Sequence, residues 1–372
     1  MIAQRSGRIP ALLGAAAILF AACGTTASSP SAAAPSVAPP PSAPASVAAP
    51  SSAAPSAAAS AAAGGGTSVT FIPKQINNPY FDAAKQGADM AAQELGGTVT
   101  QVGPSSATEA QASFIQDATT QGVKAIAISA NDPNAVAPAL KAAMAAGIKV
   151  VGYDSSPAAG AYNVFVNQTD FSLIGQAMAD WACDLAPNCT GEIAILSAAA
   201  TASNQNTWID NMKTVLQGDK YKNLKLVDVV YGDDDPQKST TQAQGLLQAH
   251  PNLKVIVAPT TVGILAAAQV VSQANKQNDV KVTGLGFPRQ MSAYVKDGTA
   301  PEFGLWSVPD LGYLTYNVAD QLVKGTIKGD VGEQVTVPKL NGGKPYTIGD
   351  KSVVILGPPF VFNKDNVNNF DF

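Results

Sequence analysis

The chain has 372 residues, enough for two domains with appended segments. Charged residues make up 13 %, about half the usual fraction, and the formal net charge is −4 with no basic cluster, which excludes a nucleic-acid-binding surface. Three cysteines and one histidine, His250, which precedes a Pro-Asn turn, make neither a disulfide scaffold nor a typical zinc site.

Residues 1–23 read as an export signal. Arg5 and Arg8 give the positive start, Ala11 to Phe20 a short apolar core, and Ala21-Ala22 the small residues before Cys23. The apolar run is too short for an ordinary membrane span. Small residues directly before a cysteine resemble a bacterial lipoprotein cleavage site, although Phe20 departs from the usual leucine, so Cys23 is the expected lipidation site. Residues 24–67 are almost wholly Ala, Ser, Pro and Gly and carry no charge, the composition of a disordered tether. Outside the cytoplasm the remaining cysteines, Cys183 and Cys189, are expected to form a local disulfide.

The globular body starts near Ser68. Apolar Val69, Phe71 and Ile72 form a strand that breaks at Pro73, and Asn78-Pro79 starts an alanine-rich helix. The intervening loop brings Lys74, Asn77, Asn78, Tyr80 and Phe81 to the carboxyl edge of a sheet, where open α/β folds bind ligands. The pattern recurs with strand 124–129 and helix to Ala146, strand 148–153 and loop Asp154 to Pro157. After Asn167-Gln168-Thr169 it restarts: helix 173–185, strand 192–197, polar loop 201–206, helix 208–216 and strand 224–231. Asp233-Asp234-Asp235 before Pro236 could hold a metal ion or cap a helix; capping is the commoner role. Strand 254–258, Pro259-Thr260-Thr261, helix 264–273, strand 280–284 and Gly286-Phe287-Pro288 follow, then strand 302–306, helix 309–324 and a Gly- and Pro-rich tail with strands near 334–338 and 353–356.

Continuous apolar strands separated by helices imply parallel sheets covered on both faces. Segments 69–95 and 124–157 match 192–216 and 254–288, so the expected fold is α/β with two similar lobes whose loops meet in one cleft. Expected boundaries are 68–168 with 304–334 for the first lobe and 169–303 with 335–372 for the second. The three crossings, near 168–170, 300–305 and 333–338, would form the hinge.

Over Ser68 to Phe372 the chain resembles the type I periplasmic binding proteins, the ligand receptors of sugar ABC importers. The likeness rests on IPKQINNPYF (72–81), ISANDPNA (128–135), ILSAAATASNQNTW (195–208), VYGDDDPQKS (230–239), PTTVG (259–263), GLGFPRQM (284–291) and LGPPFVFNKDN (356–366). Within the group it looks nearest to rhamnose-binding proteins, then to autoinducer-2-binding proteins. The latter typically carry Asp-Gln and Pro-x-Ala where this chain has Asn204-Gln205 and Pro259-Thr260-Thr261. The resemblance implies a ligand site of Lys74, Asn78, Tyr80, Phe81 and Asp154 on the first lobe. On the second it implies Asn204, Gln205, Trp208, Thr261 and Pro288, with Trp306 near the hinge and Asp154 and Gln205 bridging the lobes through the ligand. It further implies a monomeric, extracytoplasmic receptor, held to the membrane by its lipid, that delivers a monosaccharide such as rhamnose to an ABC transporter permease. A receptor for autoinducer-2 or another sugar, or a sugar sensor for a membrane signalling protein, is the alternative. With no serine elbow, P-loop or dinucleotide fingerprint in the sequence, neither an enzyme nor a cofactor is expected.

Overall fold

The computed structural model describes residues 66–106 and 109–372. The expected signal segment with Cys23, and all of the expected tether except Gly66 and Thr67, lie outside the described residues. The elements begin with β1 (Ser68–Ile72), α1 (Pro79–Leu95), β2 (Thr98–Gln101), α2 (Ala112–Thr120), β3 (Ala125–Ile128), α3 (Pro133–Ala145), β4 (Lys149–Tyr153) and β5 (Val164–Asn167). Next come α4 (Phe171–Leu185), β6 (Gly191–Ser197), α5 (Ser203–Val215), β7 (Leu224–Tyr231), α6 (Pro236–Ala249), β8 (Leu253–Ala258), α7 (Thr261–Gln273), β9 (Lys281–Gly284), α8 (Pro288–Lys296) and β10 (Phe303–Leu305). The chain finishes with α9 (Val308–Lys324), β11 (Gln334–Val335), β12 (Tyr346–Thr347), β13 (Val353–Ile355) and β14 (Phe360–Phe362).

Two parallel sheets organise these elements. The first runs β13-β5-β4-β3-β1-β2, parallel throughout. Its strand residues alternate between faces. Ala125, Ala127, Val151 and Tyr153 join the apolar cluster of α1 and α9, while Ile126, Ile128 and Val150 join that of α2 and α3. α1 and α9 approach closely because glycines meet backbone: a Cβ at Gly87 would lie 1.8 Å from Pro309 O, and one at Gly312 only 1.7 Å from Ala84 O. The second sheet runs β7-β6-β8-β9, also parallel. The antiparallel pair β10–β14 adjoins it through a bridge between Leu285 and Gly304.

Helix starts follow a repeated local device. Asn78, Asp132 and Asp235 each accept a backbone N–H of the first helical turn, and Pro79, Pro133 and Pro236 each follow at the first helical position. Asp235 therefore caps α6, bonding Lys238 N at 2.7 Å. Cys183 and Cys189 form a disulfide between the end of α4 and the turn before β6. His250 caps the far end of α6, with Nε2 3.4 Å from Asp228 Oδ2.

The lobe boundaries differ from those expected. β10 pairs beside the second sheet rather than starting the return at 304, and the return comes at Trp306-Ser307. The tail does not pass to the second lobe at 335. Instead β13 is the sixth strand of the first sheet, with Val353–Ile355 beside Phe165–Asn167, and the third crossing is 356–359. Two- and three-residue strands carry too little periodicity to assign them to a sheet. For the same reason β14 had no clear signal in the sequence; β2, α2 and β5 were not expected either.

Candidate ligand-binding site

Loops at the carboxyl edges of the two sheets surround a cavity of about 30 Å³, well below the roughly 300–1,000 Å³ typical of ligand pockets. Lys74, Asn78, Tyr80, Phe81 and Asp154 line it from the first sheet, and Asn204, Gln205, Trp208 and Thr261 from the second, with Trp306 at the second crossing. Of the expected site residues, Pro288 alone is not in the lining: it is buried at the start of α8, and Leu285 takes the wall instead. Asn204 and Gln205 sit in the first turn of α5 rather than in a loop, because the helix starts at Ser203.

The backbone turns sharply where the loops enter the cavity. Asn77 and Asp154 adopt left-handed φ of 60° and 58°, and Asp233 and Asp234 both have φ of 52°. Asn and Asp tolerate that region better than most residues, and strain of this kind clusters at functional sites.

Asp154 is the polar hub. Its Oδ1 accepts from Tyr80 OH at 3.1 Å, Asn204 Nδ2 at 3.4 Å and Gln168 Nε2 at 3.5 Å. Its Oδ2 accepts from Ser129 Oγ at 2.7 Å and faces Lys74 Nζ at 3.5 Å. Lys74 also donates to Asn204 Oδ1 at 3.1 Å, so a buried charge pair and an amide tie one lobe to the other. Burial first, then the neighbouring Asp154 charge, push the Tyr80 phenol well above its ordinary pKa, so it remains a donor.

An aromatic wall spans both lobes. Trp306 packs edge-on to Tyr80 at 6.2 Å and lies 5.8 Å from Trp208, which meets Phe171 edge-on at 5.7 Å. Trp306 Nε1 donates to Tyr80 OH at 3.0 Å, whereas the buried Trp208 Nε1 has no partner among the described residues. Gln205 is fixed at its carbonyl end, where Oε1 accepts from Ser197 Oγ and Ala198 N, both at 2.9 Å. That leaves its amide NH₂ for the cavity.

The sequence reading missed Asp234, Pro259, Thr260, Leu285 and Leu305 in the lining. Most follow strands of the second sheet, so the carboxyl-edge rule applied to every strand of that sheet would have found them. The three aspartates of 233–235 separate by role. Asp233 pairs with Lys238, Asp235 caps α6, and Asp234 reaches the cavity with Thr260 Oγ1 donating to its Oδ1. They do not converge as a metal-binding group, and none of three or more such side chains occurs among the described residues.

Two like sheets joined by three crossings around a small polar and aromatic cavity define a bilobal solute-binding architecture. The chain belongs to the periplasmic binding protein domain family, which matches residues 69–327. It is similar to an ABC transporter solute-binding protein from Clostridium phytofermentans solved with bound L-rhamnose: 41% identity, TM-score 0.79, covering 82% of this chain and 98% of that one. LsrB from Clostridium saccharobutylicum, in complex with AI-2, is 27% identical with a TM-score of 0.76, over 82% of this chain and all of the other (100%). The ribose import binding protein RbsB of Bacillus subtilis is 25% identical over 251 residues, 67% of this chain and 79% of that protein. The chain is thus an extracytoplasmic sugar-binding protein of an ABC transporter, a transport component rather than an enzyme.

Proposed function

We propose that the sugar is L-rhamnose or a closely related deoxyhexose, held between the lobes and handed to the transporter permease. The observation that carries this reading is the composition of the cavity walls. Carboxylate, amide and ammonium groups of Lys74, Asp154, Asn204 and Gln205 suit hydroxyls, and Phe81, Trp208, Leu285, Leu305 and Trp306 suit a C–H face and a methyl carbon. The L-rhamnose complex of the 41% identical protein supports the same choice. Autoinducer-2 is the second reading, favoured by the likeness to LsrB, but Asn204 stands where that group typically has aspartate.

Calorimetry of the purified chain against a panel of monosaccharides and autoinducer-2 tests the assignment. L-rhamnose should bind at one site per chain and be recovered unchanged. Heat from autoinducer-2 with none from any deoxyhexose would replace the first reading by the second. The proposal includes a lipid on Cys23 as the membrane attachment of a monomeric receptor. Cys23→Ser should move the protein out of the membrane fraction, and unchanged membrane association would rule the anchor out.

A further inference from the structure

Among the carboxylates lining the cavity, Asp154 is the one expected from the sequence to meet the sugar, yet it is the one most occupied by the protein. A carboxylate offers about four lone-pair sites. Five protein groups already converge on those of Asp154: Tyr80, Asn204, Gln168, Ser129 and Lys74. Asp234 also lines the cavity, from the opposite lobe, and only Thr260 donates to its side chain, on Oδ1. Its Oδ2 is free of hydrogen bonds among the described residues.

The Asp234 backbone is held as firmly as its Oδ1. Its carbonyl accepts from Gln75 Nε2 of the first lobe at 3.1 Å, and its left-handed φ of 52° fixes the direction in which the side chain leaves. Asp234 is only partly buried, so its unfilled oxygen is open to a donor that enters the cavity. Lys74, the one basic side chain in the lining, lies against Asp154 and Asn204. Neutral hydroxyls are the donors that a monosaccharide brings.

We propose that Asp234 is the hydroxyl acceptor of the second lobe, with Thr260 as its positioning residue, and that this bond selects among sugars by the placement of one hydroxyl. The inference rests on the reading that the cavity binds a monosaccharide. Its test is calorimetry of the full chain with L-rhamnose and its 2-, 3- and 4-deoxy derivatives, using wild type, Asp234→Asn and Thr260→Val. Asparagine tolerates the left-handed backbone, so Asp234→Asn keeps the loop. It should bind L-rhamnose about tenfold to a hundredfold more weakly.

The derivatives separate recognition from structural damage. One of them should bind wild type as weakly as L-rhamnose binds Asp234→Asn, and should lose nothing further on that variant. Thr260→Val should show the same pattern at smaller amplitude. Unchanged L-rhamnose affinity in Asp234→Asn, or equal losses for every derivative on wild type and variant, would overturn the assignment while leaving the function intact. A wild type that binds no monosaccharide would overturn both.

Discussion

Asp154 holds a lysine, a tyrosine, a serine and two amides in place, so its removal does more than delete one contact to a ligand. Asp154→Ala should leave buried Lys74 without its nearest counter-ion and Tyr80 and Ser129 without an acceptor. Breaking a buried pair on one side costs about 3–5 kcal/mol, and chemical denaturation should show a loss of that order. A loss below about 1 kcal/mol, the scale of an exposed pair, would contradict the hub. Asp234 behaves differently. Burial raises its carboxyl pKa, with the Thr260 bond and Lys74 opposing and Asp154 and Asp233 reinforcing. The folded state therefore holds that proton more tightly than the unfolded state. The stabilisation is full below the unfolded-state pKa and is lost as pH rises through the folded value. Wild-type stability minus that of Asp234→Asn should accordingly fall with rising pH across this window; a flat difference would contradict it. Lys74, Asn78 and Asp154 were legible in the sequence because each stands beside a clear strand end. Asp234 was not, because three consecutive aspartates before a proline read as one capping cluster, and only the fold separates their directions.

At the scale of elements, the contact between α1 and α9 sets how the first lobe is built. Gly87 on α1 lies against Pro309 on α9, and Gly312 on α9 lies against Ala84 on α1, with both helices buried along that face. Gly312→Ala would drive a methyl into the Ala84 carbonyl of a neighbouring helix, which cannot shift alone. The expected cost is about 3 kcal/mol, the upper end of the range for overpacking, read as a lower denaturation midpoint; an unchanged midpoint would mean that the helices separate freely. The Cys183–Cys189 link closes a loop with a separation of only 6 residues. In the chain-entropy account its joint replacement by serine should cost about 2 kcal/mol. Helices opened by an Asx-Pro pair were readable from sequence because the cap and the fixed proline φ are local effects. A strand near 353–356 was readable as well, but its place in the first sheet was not, and β14 was not read at all, since strands of three residues gain their stability from partners, β5 and β10, that lie far away in the chain.

For the whole molecule, the two-lobe plan was visible as a repeat of strand, loop and helix, while the third crossing was misplaced because it depends on β13. Lys74 to Asn204, Gln75 to Asp234 and Ser155 to Ser203 link the lobes directly, the last at 3.2 Å. A sugar touching both walls would favour this joined arrangement over an open one through its differential affinity. Small-angle scattering should therefore give a smaller radius of gyration in saturating L-rhamnose than without it, and identical values would remove the closing hinge. The central claim is that one monosaccharide occupies the cavity between the carboxyl edges of the two sheets. The most direct measurement is diffraction from crystals of the chain grown with L-rhamnose. The account predicts one sugar ring against Trp306 and Trp208, with hydroxyls bonded to side chains of both lobes; a sugar bound elsewhere, or touching one lobe alone, would contradict it.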